Sequence, residues 1–179
     1  MRFIAEDYRN LPIEAAFDAV VGRCVLMYAG DAVGALSSIL PHLRSGGFVL
    51  FIEQDYSARI VLPPLATYDR IGGWWQQLLA RTGTDPQSGL KLFPWFVAAG
   101  LPSPVLRTGR ALGGGADFFG YEVIASAVRS ALPLLEEYGI ATADEVEIDT
   151  LEERLRADAV AGGGVLGLPM YVGAWAYKP

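Results

Sequence analysis

The residues best placed to do chemistry stand at the ends of short apolar runs. Asp7 and Tyr8 follow Phe3-Ile4-Ala5, Gly22 and Arg23 follow Ala19-Val20-Val21, and Glu53, Gln54 and Asp55 follow Phe48 through Ile52. In an open parallel sheet, ligands occupy the crevice beyond the carboxyl ends of the strands, so residues at such ends face whatever binds there. Carboxylates in that position suit a cation or polar hydroxyls; the plainer reading is that each caps its strand in solvent. Glu53, Asp55 and Tyr28 carry groups able to orient or deprotonate a nucleophile, and they are candidate catalytic residues on strand-end position alone.

Other reactive residue types lack the company their chemistry needs. Cys24 is the only cysteine and His42 the only histidine, some way apart in sequence, so no Cys–His pair is evident and buried packing is the default for the thiol. His42 falls near a helix C-terminus, where a cation suits the dipole. No His/Asp/Glu spacing points to a metal site, and there is no G-x-S-x-G elbow. Gly162-Gly163-Gly164-Val165-Leu166-Gly167 matches G-x-G-x-x-G letter for letter. It follows a helix pattern and precedes a strand pattern, however, whereas a phosphate-binding fingerprint needs strand then helix.

Composition narrows the classes. Of 179 residues, 52% are apolar and 19% charged, which is a globular balance in a chain long enough for one sizeable core. A net charge of −6 with scattered arginines leaves no footprint for a phosphate backbone, so nucleic acid is excluded as the expected partner. A single cysteine excludes an internal disulfide framework, and no leader peptide is visible, so the expected location is cytoplasmic. The uncharged stretch Ala159 to Tyr177 is long enough for a bilayer span, but Gly162, Gly163, Gly164, Gly167, Pro169 and Gly173 make it turn followed by strand. No membrane association is expected.

The elements that must position the candidate residues follow from periodicity. Met1 to Asp7 reads as a short strand. Phe17 to Gly22 reads as a strand apolar on both faces after Asp18, as central parallel strands are. Asp31 is a good N-cap for a helix to about Arg44, with Ala32, Ala35, Leu36, Ile39, Leu40 and Leu43 on one face and Pro41 as the discordant residue. Ser45-Gly46-Gly47 ends it, and Phe48 to Ile52 is the next strand. Strand, helix and strand at this spacing make a right-handed parallel crossover. Further helices are expected over Pro63 to Arg81, from Asp85-Pro86 to about Gly100, over Phe118 to Tyr138 and over Thr150 to Ala161, with a capping box at Thr142 and Glu145. Val105 to Arg110 and Val165 to Lys178 read as strands. The aromatics from Tyr56 to Tyr121, among them Trp74, Trp75, Phe93, Trp95 and Phe96, suit helix packing better than a substrate lid. With no repeat and no linker, residues 1–179 read as one domain with a helical insertion at roughly 57–140.

Phe17-Asp18-Ala19-Val20-Val21-Gly22-Arg23, then Val25 to Tyr28, Asp31, and Leu43-Arg44-Ser45-Gly46-Gly47-Phe48-Val49 through Glu53 resemble the fourth strand, following helix and fifth strand of class I S-adenosylmethionine-dependent methyltransferases. Ser45 stands where that family usually has a proline. Phe3 to Tyr8 resembles its third strand, and Leu101-Pro102 and Val172 to Ala176 its later segments. The resemblance implies an α/β fold: a partial, doubly wound, Rossmann-like and mostly parallel sheet, with helices on both faces and a C-terminal antiparallel strand. It implies S-adenosylmethionine as cofactor, with Asp7 on the adenine amino group, the Tyr8 amide facing the ring, and Gly22 and Arg23 along the methionine portion. The implied activity is methyl transfer to a small molecule. The family's glycine-rich loop and the acidic residue that holds the ribose have no counterpart, because the resemblance starts at the third strand. The chain reads as N-terminally truncated, and Phe17 to Arg23 should be an exposed apolar edge able to recruit a second copy. A non-catalytic remnant or an oligomerising binding module is the competing reading.

Overall fold

The computed structural model describes residues 4–7, 11–12 and 16–179. The chain falls into two compact units. The first comprises the described residues of Met1–Asp55 with Asp85–Gly109 and Tyr171–Pro179; the second comprises Tyr56–Thr84 and Arg110–Met170. The expected insertion begins where the second unit begins, but residues 85–109 belong to the first unit and the second runs on to Met170.

The first unit is built on a four-stranded sheet of β1 (Phe17–Arg23), β2 (Leu43–Asp55), β4 (Val105–Gly109) and β7 (Met170–Tyr177), in the order β1-β2-β7-β4. β1 and β2 are parallel, with Gly22 opposite Phe51 and Arg23 opposite Ile52. β7 runs back against β2, since Lys178 bonds with Gly46 and Gly47 while Gly173 lies near Ile52. β4 pairs with β7 antiparallel. The sheet is therefore mixed, with one parallel pair, and not mostly parallel as expected. Only one crossover of the βαβ kind is present among the described residues.

That crossover carries α1 (Ala32–Ile39), whose N-cap Asp31 accepts from the Gly34 amide at 2.8 Å. The helix is shorter than its apolar pattern suggested. Pro41 lies in a 3₁₀ turn, Leu40–His42, and β2 starts at once with Leu43. Ser45-Gly46-Gly47 is consequently part of the strand, held there by backbone bonds between Gly46 and Gly47 on one side and Lys178 on the other.

Alternation along β2 assigns its two faces. Val49, Phe51, Glu53 and Asp55 are buried, while Phe48, Leu50, Ile52 and Gln54 are half-buried. The buried face packs on α3 (Ser88–Ala98), where Phe51 meets Phe96 edge to face and Gly89 sits so close that a Cβ there would lie 2.9 Å from Val172. α1 packs beside α3. Within this unit the described helices lie on one face of the sheet, where helices on both were expected. β1 is the edge strand, as expected, with Phe17 42% and Val21 64% exposed. Ile4–Asp7 forms no strand, and Met1–Phe3 lie outside the described residues.

The second unit packs α2 (Ala66–Thr82), α4 (Gly120–Glu137) and α6 (Leu151–Ala161) around Ile71, Trp74, Tyr121, Val128, Leu135 and Leu155. The one-turn helix α5 (Ala143–Val146) has the expected capping box between Thr142 and Glu145. A small sheet of β3 (Val61–Leu62), β6 (Val165–Gly167) and β5 (Leu112–Gly113) completes it. The triple glycine 162–164 joins α6 to β6, helix before strand, so the nucleotide fingerprint is a coincidence of letters. Of those aromatics Trp74, Phe96 and Tyr121 are buried in packing roles, whereas Phe93 and Phe119 are 43% and 58% exposed.

Candidate active site

β1 is followed by Cys24, whose φ of 51° is in the left-handed region that few non-glycine residues adopt. This turns the chain away from the sheet into a 3₁₀ turn, Leu26–Tyr28. The turn has no cap of its own, and its amides are met from β2. Glu53 Oε1 accepts from Val25 N at 3.1 Å and Leu26 N at 3.0 Å, and Oε2 from Met27 N at 3.3 Å. A carboxylate at a helical N-terminus satisfies the orphan amides there and favours the dipole.

Asp55 does the same for α3. Its Oδ2 accepts from the Leu90 amide at 3.2 Å, in the first turn of a helix whose N-cap Gln87 makes no side-chain cap. The Ser88 hydroxyl adds a bond to the Gln54 carbonyl at 2.8 Å. Three carboxylates, Asp31, Glu53 and Asp55, thus each cap a helical N-terminus around the carboxyl ends of β1 and β2.

Glu53 and Asp55 are both fully buried, Glu53 against three backbone amides and Asp55 against the Leu90 amide, so both hold the backbone at this end. Tyr28 is 66% exposed at the end of the turn that Glu53 holds. Desolvation, then the neighbouring Cys24 and Glu53, push its phenol above the ordinary value, so at neutral pH it is a hydrogen-bond donor and not a base. Burial, then Glu53, also push the Cys24 thiol up, against the pull of Arg23, which keeps it a thiol.

Of the candidate cofactor residues, Gly22 is buried, and a Cβ on it would lie 2.2 Å from the Phe51 ring, so the glycine is required by β2 packing. Arg23 is exposed. Because Cys24 N donates to Ile52 O, the Arg23 backbone groups point the other way, to the open edge. Asp7 is exposed on the irregular segment Ile4–Asp7, and Tyr8 lies outside the described residues.

A residue the sequence reading passed over completes this end of the sheet. Because β7 runs antiparallel, it starts where β1 and β2 finish. Its Tyr171 hydroxyl lies 3.2 Å from Arg23 Nη2 and 2.7 Å from Gln54 Nε2, and the Arg23 guanidinium stacks 5.2 Å from its ring centre. The available signal was the direction of the terminal strand: in an antiparallel neighbour, the amino end is the one that faces the crevice. Among the described residues, no group of His, Cys, Asp and Glu could hold a metal, and no helix is long and apolar enough to cross a membrane.

Neither a family model nor a curated protein sequence matches this chain. Solved structures do. A protein from Bacillus halodurans, provisionally named a methyltransferase, is similar over 97% of this chain and 70% of its own, at 12% identity and a TM-score of 0.56. The YcgJ protein from Bacillus subtilis gives the same coverages, 97% and 70%, at 13% identity and a TM-score of 0.51. Phosphoethanolamine N-methyltransferase 2 from Haemonchus contortus, solved with phosphomonomethylethanolamine and S-adenosylhomocysteine, is similar over 97% of this chain and 36% of its own, at 14% identity and a TM-score of 0.50. At such identities the likeness concerns the fold, and this chain spans only part of each neighbour's length. The chain therefore has part of the fold of the S-adenosylmethionine-dependent methyltransferases.

Proposed function

We propose that the carboxyl end of β1 and β2 is one flank of a site for S-adenosylmethionine-dependent methyl transfer to a small-molecule acceptor. The observation that carries the reading is the Glu53-held turn beyond β1, which is built at the expense of a buried carboxylate and carries the exposed Tyr28, with the exposed Arg23 at the end of β1 before it. A buried carboxylate is costly unless its hydrogen bonds are satisfied, and here they fix a loop at the place where ligands bind in open α/β sheets.

The residues fit one side of the cofactor. The Arg23 backbone faces the open edge, and the Tyr28 hydroxyl is a neutral donor suited to polar atoms of a ribose or an amino-acid moiety. Asp7 and Tyr8, which the family likeness assigns to the adenine, belong to the same proposal. When bound, the cofactor supplies a methyl group made electrophilic by its sulfonium. The part of this chain is positioning: Glu53 and Asp55 hold the turn and α3 in place, and Tyr28 orients what binds. Calorimetric titration of S-adenosylmethionine into the folded chain tests this. Saturable one-site heat, weakened by Tyr28→Phe, is expected; absence of heat from folded protein overturns it.

A second reading rests on the β1 edge. The backbone groups of Val21 and Arg23 point away from β2, and Val21 is 64% exposed, which suits pairing with a second copy of the chain. Light scattering separates the two: a dimer that Val21→Lys dissociates supports pairing, and a monomer at all concentrations excludes it.

A further inference from the structure

We infer that Arg23, Tyr171 and Gln54 form an oxyanion-binding bracket that recognises a carboxylate or phosphate group on the acceptor. Its assignment to the acceptor rests on the methyl-transfer reading above; the anion binding itself does not. A tyrosine hydroxyl has one proton to donate and two lone pairs. At Tyr171 both lone pairs are taken, by Arg23 Nη2 at 3.2 Å and Gln54 Nε2 at 2.7 Å. Its own proton has no acceptor among the described residues and is available to a ligand.

Arg23 supplies the charge. Among the described residues no carboxylate pairs with it, a condition it shares with Arg70, Arg81, Arg107 and Arg110, whereas the guanidinium groups at 44, 59, 129, 154 and 156 each have one. The guanidinium spends one N–H on Tyr171 and lies over its ring at 5.2 Å, which fixes its plane and leaves the rest of its donor fork exposed. The Thr108 hydroxyl bonds to the Tyr171 carbonyl at 2.9 Å and steadies that residue from β4. The result is a cation held against a tyrosine ring beside that residue's hydroxyl. That is the donor set of a bidentate oxyanion site.

The site lies beside the turn that carries Tyr28, since Arg23 ends β1 and Cys24 starts that turn. An acceptor held there by its anionic end would have its other end free to meet the methyl donor. Arg107, which stacks on Trp175 at 6.0 Å, has no hydroxyl bonded to it among the described residues and serves as the control.

The test is an NMR titration of the whole 179-residue chain with sodium phosphate and, separately, sodium acetate, at constant ionic strength set with chloride, following the Arg23 side-chain N–H. Saturable shifts with at least one anion are expected. Arg23→Gln and Tyr171→Phe should each weaken binding by about tenfold, the effect of one charge-assisted hydrogen bond, and Arg107→Gln should leave it unchanged. Saturation by acetate alone assigns a carboxylate acceptor, and by phosphate alone a phosphate one. Linear shifts with both anions, or an equal loss in Arg107→Gln, overturn the proposal. S-adenosylhomocysteine is titrated in parallel. If it fails to bind while an anion saturates, the bracket stands and the methyl-transfer reading falls; if it binds while neither anion does, the bracket falls alone.

Discussion

The two units of this chain are built around different cores. The second packs three helices on Ile71, Val128, Leu135, Leu151 and Leu155, each at most 2% exposed, while Leu62 at 73% and Phe119 at 58% face outward. The first covers one face of its sheet with α3 and leaves the other half open, with Val21 64%, Tyr177 62% and Val105 44% exposed. Near the candidate site its backbone is held both by buried side chains such as Leu26, Met27 and Phe51 and by carboxylates that cap helical N-termini. The helical unit is held by packing, the sheet unit by packing and, at this end, by a few polar contacts. Those contacts lie where ligands are expected, so the groups that stabilise the first unit also shape its site.

The sharpest way to break this comparison is Glu53→Gln. It keeps the volume but turns an amide N–H toward a backbone N–H, leaving a buried donor unmet, at a cost of about 3 kcal/mol. Residue-level hydrogen exchange should show protection falling over β1, β2 and the 3₁₀ turn while α2, α4 and α6 keep theirs. Leu155→Ala is the counterpart, expected to cost about 3 kcal/mol by cavity formation and to lower protection in the helical unit only. If either substitution weakened both units equally, the contrast would be wrong. Gly22→Ala forces a methyl group onto the Phe51 ring and should cost about 2 kcal/mol in denaturant unfolding, although the residue is in a strand where alanine is otherwise tolerated. By contrast Val21→Lys, on the open edge, should change stability by no more than about 0.5 kcal/mol.

Alkaline pH should act on both units in the same direction. Cys24 and Tyr28 in the first unit and Tyr68 in the second have pKa values raised above the ordinary ones, in each case mainly by burial. The folded chain holds these protons more tightly than the unfolded chain. Their contribution is complete below the unfolded values and is lost as pH rises through the folded ones. The melting temperature should therefore fall above pH 9, the ordinary value for Cys24, with Cys24→Ala blunting the first part of the fall.

Much of the fold was legible locally. Asp31 marked the start of α1, Thr142 and Glu145 the start of α5, and the apolar runs gave β1 and β2, because caps and alternation are short-range signals. The start of β2 was not legible. Gly46 and Gly47 read as a helix stop, yet their backbone is fixed by Lys178, far away in sequence. The mixed character of the sheet was hidden for the same reason, since β7 inserts between β2 and β4 from the end of the chain.

The site was half legible. Position at a strand end pointed to Glu53 and Asp55, but position alone does not say which face a side chain takes. The alternation of β2 does: both share parity with Val49 and Phe51, so both were bound for the covered face, while Gln54 shares parity with Ile52. Read that way, the carboxylates become positioning groups and the open side passes to Arg23, Tyr28 and Tyr171.

The most direct test of this account is an NMR shift map of the chain on addition of S-adenosylhomocysteine. The account predicts saturable shifts concentrated in Gly22–Tyr28 and at Glu53–Asp55, with α2, α4 and α6 unmoved. Shifts confined to the helical unit, or none from a chain that remains folded, would contradict it.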